Sequence, residues 1–257
     1  MSTNSITRAE FRAGVQVEFD GNTFETTNFC HPFQFGDDFT GGGHSAGVPA
    51  AGSPAAGYAW VKKITGTPTG VAQLTNGVNG QMQCALAATS EAEEASLYFN
   101  DALSFNTISA AQAEWRSQLG VVPTLVATAF LGLGSAWVGG PTALSRYIGF
   151  YWNGSGALTL ISKDGNGDTY SLAAAPIGGS AITVDATLFH TYRIDFSNLN
   201  DVAFYYDGNR VNAVGSVVWN PSSAANAVLQ PFHTVYKASG AGVATLNVDK
   251  IDLASNR

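Results

Sequence analysis

Residues His190–Val211 read HTYRIDFSNLNDVAFYYDGNRV. Tyr192, Ile194 and Phe196 alternate with Thr191, Arg193 and Asp195, and after the polar turn Asn198–Asp201 the alternation resumes at Val202, Phe204 and Tyr206. Asp207-Gly208 then turns the chain a second time. Period-two alternation broken by turn residues marks antiparallel strands with one buried face. The outward set, Arg193, Asp195, Ala203 and Tyr205, contains no catalytic grouping. This stretch therefore points to a β-sandwich face and not to a reaction.

The same pattern continues on both sides. Phe33–Thr40 opens the main body, and 41–57 (GGGHSAGVPAAGSPAAG) is a long Gly/Ala/Pro loop without periodicity. Tyr58–Ile64, Met82–Leu86, Glu94–Phe99, Ala110–Leu119 and Thr124–Leu133 read as strands. Tyr147–Tyr151 and Ala157–Ser162 make a hairpin around Trp152–Gly156, and Tyr170–Ala173 follows. Ala213–Trp219, Phe232–Lys237 and Ala244–Leu253 complete the set. Turn signals recur about every 8–12 residues, the spacing of a sandwich. Residues 1–30 stand apart as an N-terminal arm or a first strand. Within them Ile6–Ala13 suits a helical turn and Gly14–Phe19 a strand. Residues 31–257 then form one all-β domain.

Charged residues make up 12% of the 257, against roughly a quarter in an average soluble domain. Such a surface suits a protein packed against neighbours or one living outside the cytosol. The net charge is −7 and the nearest thing to a basic cluster is Lys62-Lys63, so no nucleic-acid groove is expected. No run of about 18 apolar residues occurs, so no membrane span is expected. The N-terminus lacks the apolar region of a secretory signal. Cys30 and Cys84 sit in no CxxC and are too few for a disulfide framework. They are free to pair, but two reduced thiols are the plainer reading.

The pattern H-x-Y-x-I-D-F, a polar turn, then V-x-F-Y-x-D-G-N-x-V resembles the concanavalin A-like lectin/glucanase superfamily, which includes laminin-G-like domains and laminarinases. Phe35–Gly41 (FGDDFTG) and the final ATLNVDKIDL run resemble the first and last strands of such domains. A closer resemblance is to bacteriophage virion proteins of this fold. It is carried by Ala95–Asp101 (ASLYFND), Ala129–Gly134 (AFLGLG), Lys163–Thr169, Leu229–Pro231 and Lys237–Asp249. The resemblance implies a two-sheet concanavalin A-like jelly roll and a structural part of a phage particle.

Laminarinase-like glycosidases carry E-x-D-x-E on one strand, so that a nucleophile and an acid share a face about 5–5.5 Å apart. The acidic cluster here, Glu91-Ala92-Glu93-Glu94, lacks the central Asp and the final Glu. It reads as an exposed acidic turn. His190 and His233 fall on strands, His31 and His44 near loops, and none has triad-like company. Asp164, Asn166 and Asp168 are candidate calcium ligands, because oxygen side chains alternate as in the first half of a calcium loop. Position six is Thr169 instead of Gly and position twelve Ala175 instead of Glu. Asp-Gly and Asn-Gly are also favoured hairpin turns, and a plain turn is the simpler account. Trp137 and Trp152 lie beside Gly-rich turns and are the candidates for stacking a glycan.

These readings lead to a non-catalytic virion protein, assembled in the host cytoplasm. Its expected role is capsid decoration or cementing, with tail or fibre association as a variant. Its expected partners are the major capsid protein or other virion proteins and further copies of itself. A carbohydrate-binding module for host-surface glycans is the alternative, and a glycoside hydrolase the remote one.

Overall fold

The computed structural model describes residues 6–12, 15–20, 26–29, 33–40, 48–52, 59–74, 80–154 and 156–256, with only the backbone described before residue 34. Three strands, β1 (Ile6–Arg12), β2 (Val15–Asp20) and β3 (Thr26–Phe29), form a small antiparallel sheet of their own. The sandwich follows. Its strands are β4 (Phe33–Asp37), β5 (Val61–Thr65), β6 (Gly70–Gln73), β7 (Met82–Ala85), β8 (Glu93–Tyr98), β9 (Phe105–Asn106), β10 (Gln112–Val121) and β11 (Thr128–Gly134). They continue as β12 (Tyr147–Trp152), β13 (Leu158–Lys163), β14 (Thr169–Ala173), β15 (His190–Asp195), β16 (Ala203–Tyr206), β17 (Asn209–Arg210), β18 (Val228–Lys237) and β19 (Thr245–Ser255).

Two eight-stranded sheets result. The first has the order β17-β16-β15-β10-β19-β7-β6, with β4 alongside the C-terminal half of β19. The second has the order β14-β13-β12-β11-β18-β8-β5, with β9 beside the start of β18. All named strand pairings are antiparallel. The fold is therefore the expected two-sheet jelly-roll sandwich.

The alternation seen in the sequence decides which side chains enter. On β15, His190, Tyr192 and Ile194 are buried while Thr191, Arg193 and Asp195 are partly exposed. On β10, Ala113, Trp115, Ser117 and Leu119 point inward. Aromatic edges interlock between the sheets: Phe150 lies 5.1 Å from Tyr192 and 5.4 Å from Phe204, and Trp152 lies 5.5 Å from Tyr192. Each such side chain contributes about 1.5–3 kcal/mol by leaving water. A second, smaller cluster lies on the outer side of the second sheet, around Val61, Tyr98, Phe130, Tyr147 and Phe232. Strands β8 and β18, covered on both faces, are buried almost throughout.

Several expectations need correction. Ile6–Ala13 is not a helical turn; Ile6–Arg12 pairs with β2. Thr124–Leu133 becomes a strand only from Thr128, and Leu125 ahead of it is 74% exposed. Ala213–Trp219 joins no ladder. A turn closed by Ser216 N–H on Ala213 C=O (3.2 Å), with Gly215 at φ 71°, interrupts it. Trp219 is nonetheless buried, its indole N–H donating to Thr107 Oγ1 at 2.8 Å. Cys84 is buried and free, its thiol pushed up to about 12 by desolvation. Cys30, His31 and His44 lie outside the described residues.

Candidate binding site on the outer face of the second sheet

On β8, Ala95 and Leu97 enter the main core, which turns Glu94, Ser96 and Tyr98 to the outer face. Glu94 is 1% exposed. One of its oxygens, Oε1, accepts from Ser96 Oγ (2.7 Å), Trp137 Nε1 (3.1 Å) and Thr234 Oγ1 (3.3 Å); the other accepts from Gly140 N (3.3 Å). Burial raises the carboxyl above its usual range, and the hydrogen bonds from Ser96, Trp137, Gly140 and Thr234 oppose that rise. The exposed acidic turn expected at 91–94 is thus wrong for two of its three acids. Glu93 is fully buried on β8 and faces Lys237 at 3.3 Å. Only Glu91 is exposed, and it accepts from the backbone N–H and hydroxyl of Thr67. Glu91 and Glu93 therefore do not act as a pair.

The loop between β11 and β12 lies over Glu94. Asp101 Oδ1 accepts from Trp137 N (2.7 Å) and from Gln230 Nε2 (2.9 Å). Gln230, buried on β18, also donates to Ser135 C=O and accepts from the backbone N–H groups of Phe99 and Asp101. Asn100 and Asp101 sit at φ 50° and 64° in a tight turn closed by Ala102 N–H on Phe99 C=O; such a turn favours Asn and Asp at its centre. Trp137 ends half-buried, with Lys63 Nζ 4.4 Å from its ring centroid. The sequence marked Trp137 but missed Glu94, Asp101, Lys63 and Gln230. The usable signal was the polar/apolar alternation Glu94–Tyr98, which a cluster of acids obscured.

The other candidates resolve differently. Trp152 is fully buried and packs edge-on to Tyr192, so it is core and presents no face to a glycan. Asp164 is 1% exposed, and its oxygens accept from Asn166 N (2.8 Å) and Asn220 N (3.3 Å). With Asp164 N–H on Asp168 C=O at 3.3 Å, the segment is a closed hairpin turn. Its first carboxylate, Asp164, accepts from two main-chain amides. No group of three metal-ligating side chains occurs among the described residues.

His190 holds the turn of the deciding hairpin. Its Nδ1 is 2.8 Å from Asp207 Oδ2, its Nε2 is 3.3 Å from Asp185 C=O, and its ring stacks on Tyr206 at 4.8 Å. His233 is fully buried between Trp60 and Trp115, its Nε2 accepting from Trp115 Nε1 at 2.9 Å. On the outer face of the first sheet, Gln34, Gln112, Glu114, Arg193 and Asp252 line a depression of about 20 Å³, room for roughly one water. The arrangement can present a fixed indole and polar faces to a large partner. It does not enclose a small molecule there.

No protein family and no curated protein matches the chain. Solved structures do. A protein of unknown function from Shewanella oneidensis MR-1 aligns with TM-score 0.54 and 14% identity over 87% of this chain and 86% of that one. A structure from the human gut microbiota, described with endo-acting O-glycanases that initiate mucin breakdown, aligns with TM-score 0.53 and 14% identity over 87% and 99%. An immunostimulatory antigen and pseudo β-1,3-glucanase of Mycobacterium tuberculosis aligns with TM-score 0.50 and 16% identity over 87% and 98%. The likeness is one of fold, the concanavalin A-like sandwich.

Proposed function

We propose that this chain is a non-catalytic structural protein of a bacteriophage particle, a decoration or cement protein seated on the shell. The sequence resemblance to virion proteins motivates the reading. The structural observation that supports it is where the reactive-looking groups are spent. Glu93 is taken by Lys237, Glu94 by Ser96, Trp137 and Gly140, His190 by Asp207, and His233 by Trp115. What remains for function is surface and loops, the material of protein–protein contact. In this reading the chain resides in the virion, its partner is the major capsid protein or another virion protein, and nucleic acid and membrane are not its ligands. Co-sedimentation of the purified chain with assembled shells tests it.

Trp137 favours a second reading, a carbohydrate-binding module. A half-exposed indole, its ring N–H donating to Glu94 and the backbone N–H of its residue to Asp101, is the kind of flat surface on which a sugar ring stacks. The structural neighbours described with a glucanase and with mucin glycans make such glycans the class to try. On a glycan array this reading expects binding that Trp137→Ala lowers at least about tenfold, the loss of some 1.4 kcal/mol. A blank array removes it.

A further inference from the structure

We infer that two copies of this chain pair through β14, antiparallel and about a two-fold axis at Ser171, joining their second sheets into one. β14 is the last strand of that sheet. It pairs with β13 in unbroken register, Thr159 opposite Ala173 through Lys163 opposite Thr169, with no bulge. Two bonds bracket the ladder, Asp164 N–H on Asp168 C=O and Ala174 N–H on Leu158 C=O. Hydrogen-bonded pairs alternate with non-bonded pairs in an antiparallel ladder. Tyr170 and Leu172 therefore exchange bonds with β13, while Thr169, Ser171 and Ala173 aim their N–H and C=O groups off the sheet. None of those outward groups bonds another described residue.

The other ends of the two sheets are guarded. Along β5, Pro49 C=O and Ala51 N–H bond Lys62, and Pro49 has no N–H to offer. β17 and β9 are two residues long. β6 opens on Gly70 at φ 109°, and β4 contains Gly36 and ends on Asp37. β14 reads TYSLA, without Gly, Pro or charge. Natural proteins blunt exposed edges with such devices, and an edge lacking them is a template for another strand.

Self-complementarity selects a second copy as the occupant. A two-fold at Ser171 sets Ser171 against Ser171 and Thr169 against Ala173, so each outward N–H meets an outward C=O. Tyr170 then opposes Leu172, and both already pack part-buried on the core, so the apolar layer runs on across the junction. The nearest charge, Asp168, falls opposite Ala174 of the partner copy and not opposite another acid. That matters for chains carrying a net charge of −7 each, because this edge lets them meet without opposed like charges. The contact is isologous and closes at a dimer.

Sedimentation equilibrium of the full chain tests this. The wild type is expected at twice 26.8 kDa. Ser171→Pro removes only an outward N–H, a position where an edge strand tolerates proline. Ser171→Lys leaves the backbone intact and sets two ammonium groups against each other. Both variants are expected to lose the dimer while keeping the wild-type circular dichroism spectrum, and Ser171→Thr to keep it. A monomeric wild type, or a folded Ser171→Pro or Ser171→Lys that remains dimeric, overturns the proposal; if Ser171→Pro does not fold, Ser171→Lys alone decides.

Discussion

His233 and Lys237 both point inward from β18, and each shows what burial does to an ionisable group. Desolvation holds His233 down, from 6.5 to about 3. The unfolded chain takes up a proton below about 6.5 and the folded chain does not until about 3, so stability falls as pH drops through that window. The slope from this group reaches about 1.4 kcal/mol per pH unit. Glu94 acts in the opposite sense: its raised carboxyl binds its proton more readily folded than unfolded, so its charged form costs stability at neutral pH and that cost is relieved as pH falls. Urea unfolding at pH 7 and pH 4 is expected to show a smaller difference in His233→Gln than in the wild type, since Gln still offers Trp115 an acceptor. An unchanged difference would show that His233 is not the group responsible. Lys237 donates to Ala87 C=O (2.7 Å) and Thr89 C=O (2.6 Å) and faces Glu93. Lys237→Met strands a buried carboxylate and is expected to cost about 3–5 kcal/mol in urea unfolding; Lys237→Met with Glu93→Leu should recover much of that. Neither role was legible in the sequence. A run of acids normally reads as a solvated turn, and the cation that makes burial tolerable lies far along the chain.

At the level of the element, legibility followed covering. β15, half-buried, showed clean alternation and was read correctly; on β16 Phe204 is buried as expected, but Ala203, read as outward, is buried too. β6 and β9 are too short to carry a period, and Ala213–Trp219 alternates without finding a ladder. The central pair β11 and β12 needed something the period cannot show. Gly132 and Gly149 face each other across the two strands, and the Phe130 ring lies against both. A Cβ on Gly149 would sit 2.6 Å from Leu131 C=O and 2.7 Å from the Phe130 ring. Both sites exclude a methyl group by close approach and not by backbone angle. Gly149→Ala is expected to destabilise by about 1–3 kcal/mol, as overpacking does. Urea unfolding of that variant checks this, and a wild-type midpoint would show that the ring moves aside freely.

For the whole molecule, one hairpin was enough to indicate the architecture, because its half-buried strand β15 alternates, while β8, β11 and β18 are buried nearly throughout and carry no period of their own. The candidate site was less legible, since β5, β8, β18 and two loops each contribute one or two residues to it. Trp137 was found from its Gly-rich setting; Trp152, in a similar setting, proved to be core because β12 alternates and sends it inward. The molecule that results is a two-sheet sandwich in which Glu93, Glu94 and His190 each have a partner within the fold. In the proposed function, this sandwich attaches to a phage shell. The direct measurement is co-sedimentation of the purified chain with assembled phage capsid shells. The account predicts saturable binding at a fixed ratio of this chain to capsid subunits, unaffected by free glycans. A chain that stays in the supernatant at every concentration would contradict it.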